Sequence, residues 1–161
     1  MPFIQHPISD ALTKLLLGAM LALTTAGAWA QAQGIVGTWK TIDDHTHRPK
    51  VLIQISTQAN GMYSGTIIKI LDHQPNASKT CNKCDGALKD QPILGMTILT
   101  GLHLEADGSY GGGRIVDPES GHVYSCKAHL EDDGAKLNVR GYIGLSIFGR
   151  TQTWLRDAAA P

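Results

Sequence analysis

The chain has 161 residues, and its 14 Lys and Arg balance 14 Asp and Glu to give a formal net charge of zero at pH 7. A chain of this length suits one domain built on one hydrophobic core. The neutral balance lacks the basic excess on which nucleic-acid affinity depends, so no nucleic-acid partner is expected.

Residues 1–30 have the form of a signal peptide. Lys14 precedes an apolar stretch, 15–28, and the sequence AWA at 28–30 has the A-x-A pattern of a signal-peptidase site. The apolar stretch is short for a bilayer span, so cleavage is favoured over a retained anchor. We therefore expect an exported, periplasmic or secreted protein whose single mature domain is 31–161, with no transmembrane segment after cleavage.

The mature chain is predicted to be a series of strands joined by turns. Runs rich in β-branched residues alternate with turn sequences such as ANG, ADG, DPESG and EDDG. The one long irregular segment is 72–92. The predicted strands are 34–42, 50–57, 62–71, 95–105, 109–116, 122–130, 135–143 and 146–156.

Eight short strands at even spacing favour an all-β fold, namely a small up-and-down antiparallel barrel, with a two-sheet sandwich as the competitor. Glycines inside the strand patterns favour the barrel, because a small closed sheet needs such residues at its bends. These glycines are Gly65, Gly101, Gly111, Gly112, Gly113, Gly141 and Gly149.

Four segments carry a resemblance to known proteins. The sequence GIVGTWKT contains Gly37-Thr38-Trp39, which is similar to the G-x-W opening of lipocalins. The segments 91–102, 110–130 and 137–156 resemble a family of exported bacterial proteins, the domain-of-unknown-function family numbered twenty-one forty-seven, which is lipocalin-like. The resemblance implies a calycin-type barrel in the envelope of Gram-negative bacteria, and it supplies no catalytic residue.

The same resemblance implies how the barrel closes. In lipocalin-like barrels a Trp of the first strand packs beneath an Arg of the last, and here these residues would be Trp39 with Arg150 or Arg156. A guanidinium stacked on an indole gains cation–π energy, and its donors can satisfy carbonyls at a strand end. Alternation puts Phe148 and both arginines on one side of the predicted last strand, so the sequence leaves the choice open.

Three cysteines in an exported chain predict a disulfide, because exported proteins fold in an oxidising compartment. The pair Cys81 and Cys84, in CNKC, is the favoured structural disulfide. Alternation places Cys126 on the buried face of its strand, where it acts as a small apolar residue with a free thiol. A bridge from CNKC to Cys126, a metal site completed by His73 and a redox role for CNKC stay open.

The sequence offers little other chemistry. It contains no nucleophile elbow, zinc-protease motif, phosphate loop or dinucleotide-binding motif, so no cofactor is predicted and a non-enzymatic role is favoured over an enzymatic one. The histidines of the DDHTH segment, His45 and His47, are interpreted as part of a solvated loop. The acids Asp117, Glu119 and Asp132 lie at predicted turns, where Asp favours capping geometry.

Two functions follow from these observations. The first is binding of a small apolar or amphipathic molecule of the envelope, because an eight-stranded barrel can hold one small ligand. The second is a structural or interaction barrel that presents the 72–92 loop to an envelope protein partner, since long loops in compact domains are often functional.

Overall fold

Eight antiparallel strands close into one barrel in the computed structural model, which describes residues 34–72 and 78–158. Each strand pairs with its neighbours in sequence, and the last returns to the first. The prediction of a small up-and-down barrel is confirmed, and the two-sheet sandwich is excluded. The predicted leader, 1–30, lies outside the described residues. The strands are β1 (Gly37–Ile42), β2 (Pro49–Thr57), β3 (Tyr63–Ile70), β4 (Thr97–Leu104), β5 (Tyr110–Val116), β6 (Val123–Glu131), β7 (Lys136–Tyr142) and β8 (Arg150–Arg156).

The up-and-down topology gives the barrel two different ends. The closure end carries the β2–β3, β4–β5 and β6–β7 turns together with the entry of the chain into β1. The loop end carries the longer β1–β2, β3–β4, β5–β6 and β7–β8 connections. Short 3-10 helices lie in some of these connections, at Gly86–Leu88, Asp132–Gly134 and Ser146–Phe148. No helix in the described ranges is long and apolar enough to cross a membrane.

Large side chains of the hydrophobic core are buried together near the closure end. Leu137 of β7 and Trp154 of β8 pair directly, and both are fully buried with Trp39 in one apolar cluster. A Cβ added to Gly113 would lie 2.7 Å from the side chain of Leu102, so the glycine leaves the room that this leucine occupies. Protein interiors are densely packed, so the space left by a glycine on one strand is occupied by a large side chain of the neighbouring strand.

The last strand begins later than the sequence predicts. Residues Ser146–Phe148 form a 3-10 turn in which the Gly149 amide donates to the Ser146 carbonyl at 3.2 Å. The side chain of Arg140 also donates to the Ser146 carbonyl, at 2.7 Å. Because that carbonyl is used in the turn, the strand starts only at Arg150, and the prediction that places Phe148 on the face of β8 is wrong.

Pairing of β1 with β8 closes the barrel, and one arginine secures the joint. Trp39 lies opposite Arg156, whose Cζ is 4.2 Å from the centroid of the Trp39 ring. The Arg156 guanidinium donates to the carbonyls of Gly134 at 2.7 Å, Val36 at 3.0 Å and Gly34 at 2.8 Å. These bonds tie the chain entry, the β6–β7 turn and the last strand together.

The residues around this arginine are adapted to it. The Trp39 indole donates to the carbonyl of Ile35 at 2.8 Å. This hydrogen bond fixes the chain between Gly34 and Val36, whose carbonyls accept hydrogen bonds from the Arg156 guanidinium. Gly37 has a φ of +136°, and a Cβ there would lie 2.8 Å from the Arg156 Nη1. A side chain at this position would therefore displace the guanidinium from the carbonyls that it caps.

The structure separates the two candidate arginines. Arg150 lies at the other end of β8, where it is 62 % exposed and forms an ion pair with Asp44 of the β1–β2 loop. It makes no contact with Trp39 that is comparable with the stack of Arg156. Arg156 is thus the arginine placed on the indole, and Arg150 belongs to the rim of the loop end.

We expect replacement of Arg156 to destabilise the barrel more than replacement of Arg150. Arg156→Met removes the stack and leaves the three carbonyls without a donor, which costs about 2–4 kcal/mol. Arg150→Met removes an exposed ion pair, which is worth less than about 1 kcal/mol. Urea unfolding followed by tryptophan fluorescence measures both variants, and equal losses would contradict the assignment of Arg156 to closure.

Candidate functional site

The disulfide segment of the β3–β4 connection is seated on the loop end. Cys81 and Cys84 form the predicted disulfide, and both residues are buried in the main apolar cluster. The sulfur of Cys81 lies 3.3 Å from the carbonyl oxygen of Pro118 in the β5–β6 turn. Gly121 of that turn has a φ of +77°, and a Cβ there would clash with the Lys83 carbonyl. The two connections therefore pack backbone against backbone.

An ion pair links two other parts of the rim. Lys50, near the start of β2, lies 2.7 Å from the carboxylate of Glu119 in the β5–β6 turn and 3.7 Å from that of Asp43 in the β1–β2 loop. The Glu119 side chain is 64 % exposed, so the pair contributes little to stability. Its effect is to hold the β5–β6 turn toward β2 at the loop end.

The β1–β2 loop, which contains His45 and His47, is an ordered turn around Asp43. The Asp43 carboxylate accepts hydrogen bonds from the Thr46 amide at 2.7 Å, the Thr46 hydroxyl at 2.9 Å and the His45 amide at 3.1 Å. The Thr46 hydrogen bonds, with the His45 amide and Lys50 as smaller causes, lower the pKa of Asp43 to about 2. Both histidines are exposed.

The interior face near the loop end is apolar and only half-buried. Ile115 of β5 pairs with Tyr124 of β6, and both side chains point inward by alternation with buried neighbours. Gly141 of β7 lies beside them, because a Cβ there would be 3.6 Å from Ile115 and 3.5 Å from Tyr124. Ile115 and Tyr124 are thus inward side chains near the loop end that remain partly exposed.

One amide supplies polar groups at this surface. The Gln152 side chain, on β8, donates to the Asp44 carboxylate at 3.0 Å and accepts a hydrogen bond from the Trp154 indole at 3.4 Å. Its contacts connect the buried floor of the barrel with the rim. Gln152 lies opposite Val139 of β7, two residues before Gly141, so its amide is near the inward side chains of Ile115 and Tyr124. Small-molecule sites usually combine apolar side chains with a few polar groups in this way.

Cys126 lies on the same inward face, between Gly113 and Gly141 of the neighbouring strands. It is a free, buried cysteine, so the alternative bridge from CNKC to Cys126 is not formed. Burial raises the pKa of the Cys126 thiol to about 12. A thiol in this environment is neutral at ordinary pH and is a poor nucleophile.

The remaining candidates are not brought together into a reactive site. Asp117 and Glu119 lie in the β5–β6 turn, where Asp117 accepts from the Glu119 amide at 3.0 Å, whereas Asp132 lies at the closure end and pairs with Lys136. His73, the suggested third metal ligand, is outside the described residues. Within 34–72 and 78–158, no group of three or more His, Cys, Asp or Glu side chains is placed to hold a metal ion.

The sequence matches the model of one known protein family. The family described as "Uncharacterized protein conserved in bacteria", DUF2147, matches residues 37–156. The chain belongs to the DUF2147 family. No curated protein matches the sequence.

A solved structure shows the same fold. It is described as protein HP1028 from the human pathogen Helicobacter pylori, belonging to the lipocalin family, and it aligns with a TM-score of 0.66 over 78 % of this chain and 84 % of its own. The two sequences are 20 % identical, so the likeness concerns the fold alone. The DUF2147 protein is therefore a lipocalin-like barrel.

Sequence reasoning missed the interior surface of this DUF2147 protein. The alternation of Leu137, Val139 and Gly141 along β7 was sufficient to place Gly141 inside the barrel. It could not show that Ile115 and Tyr124 meet at that glycine, because the three residues come from different strands. It also gave no sign that Gln152 would link the floor to the rim.

We expect the Cys126 thiol to resist alkylation in the folded protein. With a pKa of about 12, only about one thiol in a thousand is ionised at pH 9, whereas an unfolded thiol is then largely thiolate. Labelling with iodoacetamide should be complete in urea and negligible without it, at one thiol per chain while the Cys81–Cys84 disulfide is intact. Rapid labelling of the native protein at neutral pH would contradict the burial of this residue.

Proposed function

We propose that the barrel binds a small apolar or amphipathic molecule of the bacterial envelope, without carrying out chemistry on it. The observation that carries the proposal is the half-buried interior surface at Ile115, Tyr124 and Gly141. The lipocalin-like fold supports it, because eight-stranded barrels can hold one small ligand.

The arrangement of polar groups favours a ligand with an apolar body and one polar end. The wall formed by Ile115, Tyr124 and Gly141 is suited to an acyl chain or a similar apolar group. Gln152 and the Lys50–Glu119 ion pair lie toward the rim, where a polar end would meet them. Burial of apolar surface would supply most of the affinity, at roughly 25 cal/mol per Å² before the costs of binding.

A bulky side chain at Gly141 is expected to block binding. Gly141 is not in the left-handed region, so Gly141→Phe should be compatible with the backbone of β7 while its ring takes the space beside Ile115 and Tyr124. We expect the affinity for a dansyl-labelled fatty acid to fall at least about tenfold, since the ring removes the apolar contact surface. Fluorescence titration measures this effect.

The matched control is Thr100→Phe, which adds the same ring to an exposed position of β4. It should bind the probe as the unchanged protein does, and urea unfolding should show that both variants are folded. A barrel that binds no probe, and that carries no small molecule by native mass spectrometry after purification from its own bacterium, would exclude the proposal.

Presentation of the 72–92 loop to an envelope protein is the second candidate function. The packing of Cys81 against Pro118 supports it, because this contact anchors the backbone of the segment that carries the exposed residues Lys83 and Asp85. The double variant Lys83→Glu/Asp85→Lys reverses both charges without touching the disulfide. Loss of a captured envelope protein with unchanged probe binding would favour this role over ligand binding.

We also propose that residues 1–30 export the protein and are removed. The support is the AWA sequence at 28–30 behind an apolar stretch. Protein recovered from the periplasm should begin at Gln31, and Ala30→Phe should leave the leader attached, because signal peptidase needs a small residue there. A cytoplasmic protein that begins at Met1 would contradict this assignment.

A further inference from the structure

The β7–β8 connection carries the densest group of exposed apolar side chains among the described residues. Ile143, Leu145, Ile147 and Phe148 are 72, 67, 72 and 78 % exposed. Residues 143–149, IGLSIFG, contain no charged side chain. We call residues 143–148 the apolar tip. Other large exposed apolar residues, such as Met62 and Leu104, are less exposed and come from separate elements. Scattered residues of that kind are ordinary, whereas a group marks an interaction surface.

The tip is held in shape by two cations at its base. Arg140 donates to the carbonyl of Ser146 at 2.7 Å and to that of Ile147 at 3.0 Å. The Lys127 ammonium lies 3.4 Å from the Ser146 hydroxyl. The Phe148 amide closes the turn on the Leu145 carbonyl at 3.1 Å. The apolar side chains are thus fixed outward, which reduces the entropy lost when they are buried by a partner.

These two cations also form a like-charge pair. Lys127 of β6 lies directly opposite Arg140 of β7 in the sheet register. Like charges in this position repel one another, so an approaching anion relieves the repulsion. The ion pairs found within the described part of the chain include neither residue. Arg150, by contrast, is already paired with Asp44.

We propose that the apolar tip inserts into a lipid bilayer surface that carries anionic head groups. The barrel leaves all four side chains at least two-thirds exposed, and three of them come from the consecutive residues 145–148. A fluid hydrocarbon layer can surround a projecting tip on every side. Cations at the base of such a tip then lie at head-group level, which is the arrangement of interfacial membrane-binding elements.

The inference goes beyond ligand binding and does not require it. The tip projects from the outside of the loop end, whereas the interior surface is formed by Ile115, Tyr124 and Gly141. If both proposals hold, docking through the tip would bring the loop end of the barrel to the lipid from which an amphipathic ligand would come. A barrel without a ligand should still dock.

Vesicle flotation tests the proposal. The purified protein, its N-terminus first verified by mass spectrometry so that an attached leader cannot supply the lipid contact, is mixed with vesicles of phosphatidylethanolamine and phosphatidylglycerol. Ile147→Ser/Phe148→Ser should lower binding at least about tenfold, because two apolar side chains no longer enter the bilayer. The control Met62→Ser/Leu104→Ser removes apolar side chains at the closure end, and its binding should stay within about twofold of the unchanged protein.

Two further measurements separate insertion from simple adsorption. Lys127→Gln should lower binding to the anionic vesicles about fivefold and leave the weak binding to pure phosphatidylcholine vesicles unchanged. Phe148→Trp keeps an aromatic side chain in the tip, and its emission should shift to the blue on vesicle binding and be quenched by brominated lipid.

Three results would overturn the proposal. They are absence of binding to either kind of vesicle, equal loss in the tip and control variants, and a Phe148→Trp emission that vesicles do not alter. If the tip variant instead loses a captured envelope protein while vesicles are not bound, the tip is a protein-docking surface. Thermal unfolding of every variant separates lost binding from lost folding. We expect the tip variants to unfold at the temperature of the unchanged protein, because the tip residues are exposed.

Discussion

The barrel depends on the joint between its first and last strands. Sheet closure leaves the chain entry and the end of β8 beside one another, with carbonyl groups that the ladder of β1 and β8 does not use. Arg156 donates to two carbonyls of the chain entry, those of Val36 and Gly34, and to the Gly134 carbonyl of the β6–β7 turn. It stacks on Trp39 at the same time. A guanidinium is suited to this task because its donors point in several fixed directions in one plane while the faces of that plane remain free to stack.

The two ends of the barrel differ in how far their inward side chains are buried, and the proposed ligand site lies at the loop end. At the closure end, Trp39, Trp154 and Leu102 are buried together in the core cluster. At the loop end, Ile115 and Tyr124 are half-buried, although Leu99, which pairs with Ile115, is fully buried. The Cys81–Cys84 disulfide stabilises a connection that forms part of the core at the loop end.

The proposed functions use different parts of the same end. The interior surface near Gly141 would hold the ligand, the rim contacts of Lys50 and Gln152 would meet its polar group, and the apolar tip would contact lipid. The buried thiol of Cys126 belongs to the wall and not to a reactive centre, because desolvation keeps it protonated. The proposed binding therefore involves no covalent step at this thiol.

The sequence by itself determined the succession of strands and favoured a barrel, because alternation and turn residues act over short distances and leave a periodic record. The resemblance of its motifs indicated the family and implied a closing pair of Trp39 with one of two arginines. The spacing of the cysteines favoured the Cys81–Cys84 disulfide over a bridge to Cys126. Only the tertiary structure decided that Arg156 is the arginine on Trp39, since both arginines share the parity of β8 and differ only in which end of the barrel they reach. It alone assembled Ile115, Tyr124 and Gly141 into one surface and turned residues 146–148 out of the last strand, because both outcomes depend on contacts between strands that no local pattern records.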